Sequence, residues 1–140
     1  MTLLEIAEPL GLGPGEIRTE LDLVEAVSRG LPANAVDAVV HSGILTPAEA
    51  EELVLSRRAL AARKQRGASL TAGESDRLTR AVRVTVLAKE HFGDAQRAAR
   101  WLRKPNRALS GAVPLALLRT GEGARVVEET VLRLAHGIFA

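Results

Sequence analysis

Two capping boxes punctuate this chain, and with what is missing between them they confine it to helices. Thr46-Pro47-Ala48-Glu49 offers a hydroxyl N-cap, a proline at the first helical position and a carboxylate at the third. Thr71-Ala72-Gly73-Glu74 repeats the box ahead of the longest periodic segment. Asp94, after Gly93, caps a further helix that must stop before Pro105, because a residue preceding proline disfavours helical angles. Ala, Leu, Arg and Glu dominate, and no sustained period-two alternation supports a strand. The spacing predicts an all-α protein with helices near 3–9, 19–29, 33–41, 47–53, 56–66, 72–91, 95–103, 114–119 and 122–136. The helix near 72–91 carries Leu78, Ala81, Val82, Val84, Val86, Leu87, Ala88 and Phe92, an arc wider than one packed face needs. It is therefore expected to be central or to enter a dimer interface. The last helix has a narrower stripe of Ala124, Val127, Val131, Leu134 and Ile138.

The 140 residues suit one compact domain or two small helical modules. With 46% hydrophobic and 26% charged residues, the composition excludes global disorder. Cysteine is absent, which removes disulfides and thiolate chemistry and fits a reducing compartment. No secretory signal and no apolar run long enough for a bilayer is visible, so a cytoplasmic protein without a membrane partner is expected.

The net charge of +2 conceals a strong segregation. Residues 1–52 hold ten acids against Arg18 and Arg29. Arg57, Arg58, Arg63, Lys64 and Arg66 then follow with no acid among them, and Arg97, Arg100, Arg103, Lys104 and Arg107 form a second basic group. Residues 47–66 fit a helix-turn-helix in which Ser56 caps the second helix. Arg57 and Arg58 stand at its start, and Arg63 and Lys64 further along. In such motifs the start of the second helix reaches base edges and its flanks contact phosphate. Ser56, Arg57, Arg58, Arg63 and Lys64 are thus candidate DNA-binding residues, and a solvated basic face is the alternative.

No catalytic or metal-binding constellation is legible, and no cofactor is implied. His41, His91 and His136 lack partners at metal-ligand spacing. The serines, Ser75 included, read as cap and turn residues, and the carboxylates as solvent-facing. Gly11-Leu12-Gly13-Pro14-Gly15 follows a helical pattern and has no lysine nearby, so it reads as a connector rather than a phosphate loop. The chain is not expected to be an enzyme.

Two of the three aromatics fall in the last forty residues, at Trp101 and Phe139. Trp101-Leu102 anchors a helix end, Pro105-Asn106 turns, Leu109 packs back, and Ser110-Gly111 turns again into a helix started by Pro114. Ile138 and Phe139 lie beside a free carboxylate, an apolar tip better suited to plugging a pocket than to solvent.

The run Ala98-Ala99-Arg100-Trp101-Leu102-Arg103-Lys104-Pro105-Asn106-Arg107-Ala108-Leu109-Ser110-Gly111, with Pro114-Leu115 and Leu117-Leu118-Arg119-Thr120, resembles the toxin-binding domain of the MbcA/ParS/Xre antitoxins, the partners of RES-domain toxins. Leu70-Thr71-Ala72-Gly73-Glu74-Ser75-Asp76-Arg77-Leu78 is similar to that family's linker helix, and Val54-Leu55-Ser56-Arg57-Arg58-Ala59-Leu60 to the start of its Xre-like recognition helix. The likeness covers roughly residues 31–140 and is most specific in its latter half. It implies an Xre-like helix-turn-helix and dimerisation region over 1–68 and a toxin-binding domain over 69–140. The implied function is a type II antitoxin that blocks the active site of an NAD-degrading RES-domain toxin, forms a homodimer and binds its own promoter DNA. Carried over by position, Trp101, Pro105, Asn106, Leu109, Gly111 and Pro114 would shape the toxin-binding domain, while Gly137, Ile138, Phe139 and Ala140 would reach the toxin cleft. Arg58-Ala59 departs from the threonine common in the family's recognition helix, which bears on DNA contact more than on toxin binding. A stand-alone helix-turn-helix regulator is the competing reading.

Overall fold

A computed structural model describes residues 1–135 and 137, and among these the fold is all-helical. Eight α-helices follow in order among the described residues: α1 (Leu3–Ala7), α2 (Glu20–Arg29), α3 (Asn34–His41), α4 (Pro47–Leu53), α5 (Arg57–Arg66), α6 (Ala72–Phe92), α7 (Ala95–Arg103) and α8 (Gly121–Ala135). Short 3-10 helices occupy Glu8–Leu10, Arg107–Leu109 and Pro114–Arg119. The helix starts lie where the sequence marked them. Thr46 Oγ1 accepts from the Glu49 N–H at 3.1 Å, and the Glu49 carboxylate accepts from the Thr46 N–H at 2.9 Å. Thr71 and Glu74 exchange the same pair of bonds, and Asp94 accepts from the Gln96 N–H at 2.9 Å. The segment 114–119, expected as an α-helix, is 3-10 instead. Six residues between Pro114 and the Thr120 cap give a tight helix little length over which to relax.

The chain divides into two compact units, Met1–Val82 and a second beginning at Arg83. The sequence division at 68/69 falls in the connector before α6, and the compact units part later, within α6.

In the first unit Leu10, Leu31, Val39, Leu45, Leu78 and Val82 form a fully buried core. The first half of α6 organises it. The Ser75 hydroxyl, wholly buried, accepts from the Leu31 N–H at 2.8 Å, and Arg77 Nη2 donates to the Val54 carbonyl at 2.9 Å. Ser75 is therefore an interior helical residue that ties α6 to the α2–α3 connector, not the cap or turn residue its type suggests. The Leu70 N–H donates to the Leu31 carbonyl at 2.9 Å in the same place. That approach needs Gly30: its φ is +100°, and a Cβ there would lie 2.1 Å from the Leu70 oxygen.

In the second unit α8 packs on the Pro114–Arg119 segment, burying Ala124, Val127 and Val131 against Leu115 and Leu118. Gly123 permits the contact, since a Cβ on it would stand 1.9 Å from the Leu117 carbonyl oxygen. α7 also packs on this segment and buries Ala98 and Leu102.

Candidate functional site

The Trp101–Pro114 stretch folds around Asn106. Its side-chain Oδ1 accepts from the Ala108 N–H at 2.8 Å, and its carbonyl accepts from the Leu109 and Gly111 N–H groups at 3.0 and 2.8 Å. Its own N–H donates to the Ala112 carbonyl at 3.0 Å, closing the loop. One residue thus satisfies four backbone partners, which fixes the turn locally. Ser110, at φ +55°, and Gly111, at φ +85°, supply the left-handed corner. Leu109 and Pro114 are buried within the unit, while Pro105 and Gly111 are exposed. The first two therefore support the surface, and the latter two lie on it.

Trp101 is half-buried and meets Phe92 at a ring-centroid distance of 5.3 Å, tilted by 56°. This geometry is favourable for an aromatic pair and keeps the indole in one orientation. Phe92 was missed as a site residue because it reads as the end of the α6 apolar arc. The signal was available: Gly93-Asp94 reverses the chain between the two rings and brings α7 back beside the end of α6. Gly137 is described as an exposed turn residue, whereas Ile138, Phe139 and Ala140, the expected toxin-cleft residues, lie outside the described residues.

The other candidate surface is α5. Ser56 caps it as expected, accepting from the Ala59 N–H at 3.1 Å. No residue of α5 is fully buried, so the helix lies at the surface of its unit. Its cations are unequal, however. Arg58 is exposed and makes no ion pair among the described residues. Arg57 is exposed but paired with Glu51, which also accepts from the Arg57 backbone N–H at 3.0 Å. Lys64 Nζ lies 2.6 Å from Asp37 Oδ2. Arg63 turns inward, and its guanidinium grips the Glu74 carboxylate with both terminal nitrogens, one of them at 3.1 Å. Only 18% of the Arg63 side chain and 11% of the Glu74 side chain remain exposed, which makes the pair an internal brace between α5 and α6. Glu74 is thus not the solvent-facing carboxylate its sequence position suggests. Burial pushes its carboxyl up, but the Arg63 guanidinium and the Thr71 N–H outweigh burial and hold it below its usual range. Between α3, α4 and α5 a groove of about 510 Å³ is floored by Val36, Val40, Ala50, Leu55 and Leu60.

His41 and His91 sit in the last turns of α3 and α6, and His136 lies outside the described residues. Among the described residues no three His, Cys, Asp or Glu side chains cluster as a metal site, and no helix is long and apolar enough to cross a membrane.

Comparison with known proteins matches two domains along the chain. Residues 87–137 match the antitoxin Xre/MbcA/ParS C-terminal toxin-binding domain, and residues 22–83 match the antitoxin Xre-like helix-turn-helix domain. A Pseudomonas putida protein named antitoxin Xre is 35% identical over 122 residues, spanning 87% of this chain and 76% of the relative. The chain belongs to the Xre/MbcA/ParS antitoxin family. Antitoxins Xre of Yersinia enterocolitica and Photorhabdus laumondii are 31% and 32% identical, over 84% and 81% of this chain and 81% and 78% of their own lengths. This antitoxin therefore carries a helix-turn-helix domain followed by a toxin-binding domain, and its family members are non-enzymatic inhibitors.

Proposed function

We propose that this antitoxin neutralises a RES-domain, NAD-degrading toxin by covering its active site with the C-terminal domain, and that it binds the promoter of its own operon as a homodimer. The observation that carries the reading is the match of residues 87–137 to the family's toxin-binding domain. The rigid Asn106 turn and the oriented Trp101–Phe92 pair support it, since an inhibitor that works by occlusion needs a preformed surface. Trp101, Pro105, Asn106 and Gly111 form that surface, Leu109 and Pro114 hold it in shape, and residues 137–140 reach into the cleft. For DNA, Arg58 and Arg57 at the capped start of α5 are the contacts that the surface position of that helix favours.

The test is co-expression with the product of the adjoining reading frame while growth and cellular NAD are followed. The full antitoxin restores both, and deletion of residues 137–140 weakens the rescue. Equal protection by the truncated chain overturns the cleft-plugging part, and NAD unchanged by the toxin alone overturns the RES assignment.

The second reading is a stand-alone regulator, favoured by the exposed, unpaired Arg58. It predicts promoter retention together with no effect on the growth defect caused by the neighbouring protein.

A further inference from the structure

The longest acid-free basic stretch of this chain lies around α7, not at the helix expected to bind DNA. Residues 95–121 contain six cations and no acid. On α7 the buried side is Ala98 and Leu102, while Arg97 and Arg100, with Lys104 at the C-cap, are exposed. Their spacing of three and four residues puts them along one helical face. Arg107 continues the basic run just past the helix end. None of these four side chains makes an ion pair among the described residues.

Several cations elsewhere are neutralised internally, although Arg58 of α5 is not. Arg57, Arg63 and Lys64 of α5 face Glu51, Glu74 and Asp37, and Arg125 of α8 is held between Glu122 and Glu129. Like charges three and four residues apart weaken a helix by a few tenths of a kcal/mol each, and no ion pair among the described residues offsets that cost on this face. The helix dipole accounts for Arg100 and Lys104, which lie toward the C-terminal end. It works against Arg97 in the first turn, where it favours anions.

Trp101 borders this face, four residues after Arg97 and three before Lys104, with its ring oriented by Phe92. A half-buried tryptophan rimmed by unpaired arginines is the composition of an interface anchor, not of an inert solvated helix. The whole of α7 lies within the segment matching the toxin-binding domain, whereas the helix-turn-helix match ends at residue 83.

We propose that the Arg97–Arg100–Lys104 face of α7, with Trp101 at its border, docks an acidic surface of the partner toxin and steers the two proteins together electrostatically. This rests on the toxin-binding reading above, and it adds the charge of the toxin surface and the side chains that meet it. Steering by such a face acts on the association rate and is screened by salt, while Trp101 acts on dissociation.

The experiment measures association and dissociation rates of the full-length antitoxin with the toxin recovered from the co-expression, at about 50 mM and about 500 mM salt. For the wild type the association rate falls steeply with salt. In the triple variant Arg97→Ala, Arg100→Ala, Lys104→Ala it drops about tenfold at low salt and loses most of its salt dependence, with dissociation changed less than about threefold. Reversal of the three charges to glutamate lowers it further. Circular dichroism verifies that these exposed substitutions leave the helices intact, and Trp101→Ala raises the dissociation rate instead. A wild-type association rate indifferent to salt, or a triple variant that associates at the wild-type rate, overturns the proposal and leaves the toxin-binding reading standing. A triple variant that keeps its toxin kinetics but loses promoter retention assigns the face to nucleic acid, which also overturns it. A wild type that forms no complex with the toxin removes both.

Discussion

Gly123→Ala sets two physical effects against each other. In a helix alanine is favoured over glycine by about 1 kcal/mol, so propensity alone predicts a more stable protein. The tertiary contact predicts the reverse. The added Cβ would stand 1.9 Å from the Leu117 carbonyl oxygen and 2.9 Å from its carbon, against an ordinary contact of 3.4–4 Å. Both atoms belong to backbone, so no side chain can swing away, and α8 must lift off the Pro114–Arg119 segment by about 1.5 Å. Overpacking of this kind costs about 1–3 kcal/mol, and exposing roughly 40 Å² of the Val127, Leu115 and Leu118 contact adds about 1 kcal/mol. Once the propensity gain is deducted, the variant is destabilised by about 2 kcal/mol.

Gly73→Ala is the control. It also lies in the first turn of a helix, but its Cβ would meet only the Arg77 guanidinium at 3.5 Å and the Thr71 hydroxyl at 4.0 Å. It should therefore be neutral or stabilising by up to ~1 kcal/mol. Urea unfolding followed by the single tryptophan, Trp101, reads the second unit, with far-ultraviolet circular dichroism as the general probe. With a urea slope of about 2 kcal/mol/M, the midpoint of Gly123→Ala falls by about 1 M and that of Gly73→Ala does not fall. A Gly123→Ala protein at least as stable as the wild type refutes the reasoning, because propensity would then have outweighed a backbone clash.

Three further outcomes follow from the first unit. Gly30→Ala forces a left-handed backbone on alanine and drives its Cβ into the Leu70 carbonyl, so it costs about 3 kcal/mol and strips hydrogen-exchange protection from the Leu31 and Leu70 amides; retained protection would count against it. Asp22, lowered by the Arg18 and Thr19 backbone N–H groups, and Glu74, lowered despite burial by Arg63 and Thr71, contribute stability that is present above the usual carboxylate range and is lost as pH falls toward their folded values. Urea midpoints measured from about pH 7 down to about pH 3 should decline accordingly, and Glu74→Gln should decline less; parallel curves would remove Glu74 from the account. On promoter DNA, Arg58→Ala should reduce the salt slope by about 0.9, whereas Arg63→Ala should lower the urea midpoint instead, and an Arg63 effect confined to the slope would contradict its internal pairing.

The sequence by itself determined where helices begin and end, because capping is local. Thr46, Ser56, Thr71 and Asp94 each bond an amide two or three residues away, so their positions alone announce the starts of α4 to α7. The Pro105–Pro114 turn was legible for the same reason, since Asn106 bonds only within a few residues of itself. The order of residues around Trp101 pointed to the family before any fold was known.

The tertiary structure alone decided which of the chemically similar residues are spent inside the protein and which are left over. Arg58 and Arg63 look alike in the sequence, but Arg63 is taken by Glu74, eleven residues away across the α5–α6 turn. Ser75 reads as a cap or turn residue until it meets the Leu31 N–H, forty-four residues distant, and Phe92 becomes part of a site only when α7 brings Trp101 back to it. These are through-space pairings between helices. Hydrophobic periodicity says which face of a helix turns inward, but not which partner waits there. The charge left unpaired on α7, and so the surface offered to a partner, emerges only after every internal pair has been made.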